Sequence, residues 1–83
     1  MKIRYFAWLR HDLGCDEENI TLPANIRTVG KLLDWLPTRG ERYEEALKLI
    51  DMIMVSVNGQ YADRQCTLSD DDEVLLIPPI SGG

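Results

Sequence analysis

From Lys2 to Leu9 apolar and polar residues alternate. Ile3, Tyr5, Ala7 and Leu9 fall on one side, and Lys2, Arg4, Phe6 and Trp8 on the other. A period of two predicts a strand over this stretch. Its second side is only half polar. Two neighbouring aromatics on a solvent-facing strand face need a cover, supplied either by a partner or by a loop of the same chain. Arg10 to Asp16, with Gly14 as a turn former, reads as a connection. Glu17 to Leu22 then reads as a second strand with Ile20 and Leu22 inward, ended by Pro23. Two short strands this close pair most simply as an antiparallel hairpin.

The period changes at Thr28, a good helix N-cap. Val29, Leu32, Leu33 and Leu36 recur at i, i+3, i+4 and i+7, and Pro37 stops the helix. Trp35 lies off the centre of this stripe, a lid at the helix edge. Gly30 lowers the helix propensity. Thr38 to Glu41 reads as a loop. Arg42 to Leu49 reads as a second short helix, with Tyr43, Ala46, Leu47 and Ile50 spaced for one face and Glu44 and Lys48 as an i,i+4 pair. Met52 to Val57 is a third strand, with Ile53, Val55 and Val57 on one face. Asn58-Gly59 is a hairpin turn, Gln60 to Ala62 the short return strand, and Tyr61 can point outward. Asp63 to Ser69 is irregular, anchored by Leu68. Asp70-Asp71-Asp72 reads as a solvated turn, because adjacent carboxylates diverge and no loop-ligand spacing follows. The last strand, Glu73 to Ile77, sets Val74 and Leu76 on one face and Leu75 and Ile77 on the other.

Strand, strand, helix, strand, short strand, strand is the order of an α+β domain. If the last strand lies parallel beside the first, one main helix packs on one face of a mixed sheet. That is the β-grasp (ubiquitin-like) arrangement. The other face then carries Phe6, Trp8, Leu75 and Ile77 with Tyr61 nearby, an apolar area suited to docking.

Eighty-three residues suffice for one small domain. The net charge of −5 argues against nucleic acid and anionic membrane, and suits a partner with a positive groove. Cys15 and Cys66 lie far apart without a CxxC or a histidine-rich neighbourhood. They read as two free thiols in a reducing cytoplasm or as one disulfide. His11 has no ligand set, so no metal site is expected. No signal peptide or spanning run is visible, which makes a cytoplasmic location the default.

The stretch with most chemistry is Ile77-Pro78-Pro79-Ile80-Ser81-Gly82-Gly83. The prolines end the strand, since neither can donate an N–H and both hold an extended φ. A body over 1–77 and a flexible tail over 78–83 follow, with a reach of roughly 20 Å from Pro78 to Gly83. Glycine lacks a Cβ and can enter a narrow channel. A terminal glycine carboxylate is the least hindered one a protein can present to an activating enzyme.

This ending, the β-grasp order and the length resemble the ubiquitin-like sulfur carriers that form the small subunit of molybdopterin synthase, the MoaD family. Tyr5-Phe6-Ala7, Asn58 and Asp72-Glu73-Val74 are further points of likeness. Carriers for thiazole synthesis and tRNA thiolation also end in Gly-Gly but generally lack the Pro-Pro. The resemblance implies that an E1-like adenylating enzyme uses ATP to activate Gly83, at the tip formed with Gly82. A persulfide donor then converts it to a thiocarboxylate. The tail enters the large subunit, in a heterotetramer of two small and two large subunits, and its sulfur goes to cyclic pyranopterin monophosphate to build the dithiolene. The carrier binds no cofactor and contributes no general base. The implied partner contacts are Phe6, Tyr61, Ile77, Pro78, Pro79, Ile80 and Ser81; the family commonly has an aliphatic residue where Tyr61 stands. The other readings are a carrier for thiazole or tRNA thiolation, a ubiquitin-like modifier conjugated to lysines through Gly83, and a plain binding domain.

Overall fold

The computed structural model describes residues 1–79. Five strands form one mixed sheet: β1 (Lys2–Tyr5), β2 (Glu17–Asn19), β3 (Met54–Val57), β4 (Gln60–Ala62) and β5 (Glu73–Ile77), in the spatial order β2-β1-β5-β3-β4. β1 pairs antiparallel with β2 and parallel with β5, and β5 pairs antiparallel with β3. This is the expected β-grasp arrangement. The last strand lies in the middle of the sheet.

Strand pairing decides which side chains meet. Ile3 lies opposite Val74, Tyr5 opposite Leu76, and Val55 opposite Leu76 on its other side. All five are buried and face the helices. The helical layer consists of α1 (Ala7–Leu13), α2 (Val29–Trp35) and α3 (Glu41–Ala46), and it adds Leu9, Leu13, Leu32, Leu33, Leu36 and Ala46 to the same core. Leu68 is buried with them, as its anchoring role requires.

The expected strand over Lys2–Leu9 is half strand and half helix. β1 stops at Tyr5, Phe6 is extended, and Ala7 turns the chain with φ of +52° into α1. The residues after Ala7 satisfy a helical spacing equally well: Leu9 and Leu13 stand at i,i+4 and are both buried. Gly14 then closes the helix in the left-handed conformation, its N–H bonding the Arg10 carbonyl. Ala7, expected inside, is therefore exposed. Trp8, expected on the open sheet face, sits on α1 and packs partly against the core.

α2 begins where its sequence says. Thr28 Oγ1 accepts from the Lys31 N–H at 3.2 Å. Two more N–H groups of its first turn, from Val29 and Gly30, bond the carbonyls of Cys66 and Arg64 at 2.9 and 2.8 Å. This approach explains Gly30: a Cβ there would lie 3.0 Å from the Arg64 carbonyl oxygen. The α-helix ends at Trp35, and Pro37 falls within a 3-10 turn, Leu36–Arg39, in place of the expected loop. α3 is shorter than expected and ends at Ala46, because Leu47 has left the helical region. Lys48 therefore bonds Glu45 at 2.9 Å rather than Glu44. A second 3-10 turn, Ile50–Met52, leads into β3. The Asn58-Gly59 turn has both residues at positive φ, as its sequence predicts.

Glu18 holds the edge strand to the helices. Its carboxylate accepts from Tyr5 Oη at 2.6 Å, Tyr43 Oη at 2.7 Å and Arg39 Nη1 at 3.1 Å. The Arg39 guanidinium also lies over the rings of Trp35 and Tyr43. Burial opposes the charge on Glu18, but the two phenols and Arg39 together outweigh it and hold the acid below its ordinary range. Burial, then the bond to Glu18, pushes Tyr43 up to about 12, and raises Tyr5 further.

The signs give a pH window. A lowered carboxyl pKa stabilises the fold above about 4.5, and that contribution fades as pH falls through the folded value. Raised phenol pKa values stabilise it below about 10, and this is lost as pH rises through about 12. The urea midpoint is expected to stay level between those limits and fall outside them. Glu18→Ala is expected to cost about 1–3 kcal/mol at neutral pH, by leaving buried donors unpaired. A neutral-pH midpoint for Glu18→Ala equal to that of the parent would contradict this reading.

Candidate functional site

The face of the sheet opposite the helices is uncovered. Strand alternation places Arg4, Leu75, Ile77, Met54 and Tyr61 on it: Arg4 and Ser56 lie opposite Leu75, Met54 opposite Ile77, and Tyr61 opposite Ser56. Tyr61 is 73% exposed and Met54 50%. Phe6, extended after Tyr5, continues the side of Lys2 and Arg4 and is half-buried. Phe6, Tyr61 and Ile77 thus share one face, and Leu75 joins them. Trp8 does not. Met54 was not singled out in the sequence, although its position between inward Ile53 and Val55 is the signal that sets it on this face.

The charges on this face are balanced. Lys2 pairs with Glu17 at 3.2 Å and Arg4 with Glu73 at 4.0 Å. Exposed pairs of this kind add little to stability, but they leave the apolar residues as the feature that distinguishes the surface.

β5 carries the chain out of the sheet next to the ends of β1 and β3. Pro78 is fully buried and Pro79 half-buried. The stiff exit is therefore partly internal, the packed body extends one residue past Ile77, and the Pro78 ring is not offered to a partner by the isolated chain. Ile80, Ser81, Gly82 and Gly83 lie outside the described residues. At the other end of β5, Asn58 joins the β3–β4 turn to the start of the strand. Its Nδ2 donates to Asp72 at 2.8 Å, and its Oδ1 accepts from the Glu73 N–H at 2.9 Å. Asp72 also accepts from the Ser69 N–H at 2.7 Å, and Asp70 from Arg27 at 3.1 Å. The acidic triplet is thus a turn in which the Asp70 and Asp72 carboxylates are bonded.

Cys15 and Cys66 are both free thiols. Burial, with Glu18 and Asp16 nearby, pushes the Cys15 thiol up, which makes it a poor nucleophile. Among the described residues no three His, Cys, Asp or Glu side chains are grouped to hold a metal ion, and no helix is long and apolar enough to cross a membrane.

An uncovered apolar sheet face thus lies beside the strand that carries the chain out of the sheet. Comparison with known proteins gives it a kinship. The family model described as ThiS family matches residues 3–83. The chain belongs to the ThiS family. Two curated relatives are each described as a molybdopterin synthase sulfur carrier subunit. The protein from Dictyostelium discoideum is 30% identical over 84 residues, covering 99% of this chain and 94% of its own. The protein from Escherichia coli (strain K12) is 31% identical over 84 residues, covering 100% of this chain and 99% of its own. Among solved structures, the small archaeal modifier protein 1 of H. volcanii superposes with a TM-score of 0.75 at 27% identity, covering 96% of this chain and 97% of that one. The ThiS family match takes in the apolar face and the Gly82-Gly83 ending alike.

Proposed function

We propose that this ThiS family chain is the sulfur-carrier subunit of a molybdopterin synthase. The observation that carries the reading is full-length kinship with two curated subunits of that description. The geometry is consistent with it: a rigid central strand leads towards Gly82-Gly83 beside an uncovered apolar face.

The chemistry follows from the carboxylate. A Gly83 oxygen attacks the α-phosphorus of ATP on an E1-like enzyme and pyrophosphate leaves. The resulting acyl adenylate is a mixed anhydride. A persulfide sulfur attacks its carbonyl carbon and AMP leaves, forming an acyl disulfide. A thiol reduces the S–S bond, is itself oxidised to a disulfide, and frees the Gly83 thiocarboxylate. That sulfur attacks an electrophilic carbon of the cyclic pyranopterin precursor within the large subunit, and a carbon–oxygen bond of the precursor breaks as the carbon–sulfur bond forms. Water then cleaves the acyl–sulfur bond, leaving sulfur on the pterin and restoring the carboxylate. The large subunit supplies the acid–base groups, and the carrier needs no bound cofactor.

On this reading Phe6, Ile77 and Tyr61, with Leu75 and Met54, dock the large subunit through the open face. Pro79, Ile80 and Ser81 thread towards its active site, in an assembly of two small and two large subunits. A reducing cytoplasm is the place of work. Incubation with the activating enzyme, ATP and a persulfide donor is expected to raise the intact mass by one oxygen-to-sulfur exchange. An unchanged mass would refute the proposal.

A second reading has one observation in its favour, the close superposition on an archaeal modifier protein. A modifier would form isopeptide adducts through Gly83 with lysines of other proteins. A ladder of such adducts in lysate, without loss of molybdoenzyme activity on deletion, distinguishes it.

A further inference from the structure

Burial alternates along the end of the chain. Val74, Leu76 and Pro78 are buried, and Leu75, Ile77 and Pro79 are half-buried between them. The strand itself ends at Ile77. The period of two therefore runs on past the last ladder residue. Pro78 extends the inward row of Val74 and Leu76, and Pro79 extends the open-face row of Leu75 and Ile77. Neither proline has an N–H to donate, so side-chain packing holds this extension and no ladder donor is left unpaired.

The neighbouring strands account for the seat. β1 pairs with β5 as far as Tyr5 opposite Leu76, and the chain then turns at Ala7 into α1, which lies against β5. On the other side Met54 stands opposite Ile77, and Ile53 before it is buried. One further step of that antiparallel register sets Ile53 opposite Pro78. A proline that only terminated a strand would be left in solvent, whereas Pro78 is less than 2% exposed. Its ring is the last member of the core row, at the root of the tail.

We infer that Pro78 is a positioning residue for sulfur transfer: its seated ring clamps the root of the tail to the core and so aims Gly83, without itself contacting the partner. The inference rests on the sulfur-carrier reading above. Its ground is entropic. With the root fixed, one residue fewer has to be ordered when the sulfur reaches its target. Ordering one residue's backbone is worth about five- to thirtyfold in a rate or equilibrium, and a reacting atom held in line gains in the same way. The docking residues Phe6, Tyr61 and Ile77 act apart from this clamp, so affinity and transfer rate answer to different side chains.

The test uses full-length thiocarboxylate chains, prepared by sulfide cleavage of an intein thioester and mixed with the large subunit and the cyclic pyranopterin precursor. Single-turnover transfer is followed against large-subunit concentration, well below each chain's melting temperature. This separates the rate at saturation from the half-saturating concentration. Pro78→Ala removes the ring and is expected to lower the saturating rate about fivefold or more, with the half-saturating concentration near the parental value. Pro78→Val refills the inward position and is expected to recover most of the rate. Val74→Ala, at the far end of the same row, loses core packing away from the exit and is expected to transfer at the parental rate. A parental rate for Pro78→Ala would overturn the clamp. So would a loss confined to the half-saturating concentration, a Pro78→Val rate no better than that of Pro78→Ala, or an equal loss in Val74→Ala. Should Pro78→Ala fail to fold, Cα relaxation in the parental chain decides: Pro78 is expected to show the order parameter of rigid backbone, about 0.85, and a value below about 0.6 would overturn the clamp. A parental chain that transfers no sulfur would instead overturn the sulfur-carrier reading, and the clamp with it.

Discussion

A chain carrying one tryptophan beyond Gly83 is expected to accept no sulfur at all. The added residue replaces the glycine carboxylate with a peptide carbonyl, which has no free oxygen to attack ATP. The new terminus also carries a bulky Cβ substituent into a passage that glycine fits because it has none. Melting temperature is expected to be unchanged, since the added residue lies beyond the core packed among the described residues. The measurement is intact mass after loading, together with molybdoenzyme activity in a deletion strain complemented with the blocked chain. Restored activity without trimming of the added residue would end the carrier reading.

The second large effect separates adjacent residues of one strand. Leu76 is fully buried between Tyr5 and Val55, whereas Leu75 lies half-buried on the open face. Leu76→Ala is expected to cost about 2–5 kcal/mol of stability by opening a cavity at the centre of the core. In an 83-residue domain that is a large share of the total. Leu75→Ala is expected to leave the urea midpoint near the parental value and to weaken large-subunit binding. Urea titration and binding isotherms of the two variants check this. If Leu75→Ala unfolds the domain, the assignment of faces is wrong.

The sheet was largely legible because its signals are local. Asn58-Gly59 marks one turn, alternation sets the faces of β3 and β5, and Thr28 opens α2. The break at Phe6 was not legible. Tyr5 to Leu9 satisfies a period of two, and Leu9 to Leu13 equally satisfies a helical turn, so nothing local chooses between them. The positive φ of Ala7 decides it, and alanine gives no sign of such a conformation. The error moved Trp8 from the open face to α1, where it packs partly against the core. Phe6, Leu75 and Ile77 kept their face because Phe6 is still extended ahead of the turn at Ala7 and the other two lie on β5. The Glu18 network was invisible for a different reason. Its donors stand 13, 21 and 25 residues away, and no spacing rule links a strand glutamate to phenols that distant. Pro78 illustrates a third limit: a proline reads as a strand terminator, but sequence does not tell whether its ring is then packed.

The place of β5 bears on synthesis. It is the last strand along the chain and the middle one in the sheet, so β1 and β3 have no common neighbour until it arrives. A chain that lacks Glu73–Ile77 leaves the β1–β2 and β3–β4 pairs unjoined, with their inner strand edges and apolar rows bare, and is expected to aggregate.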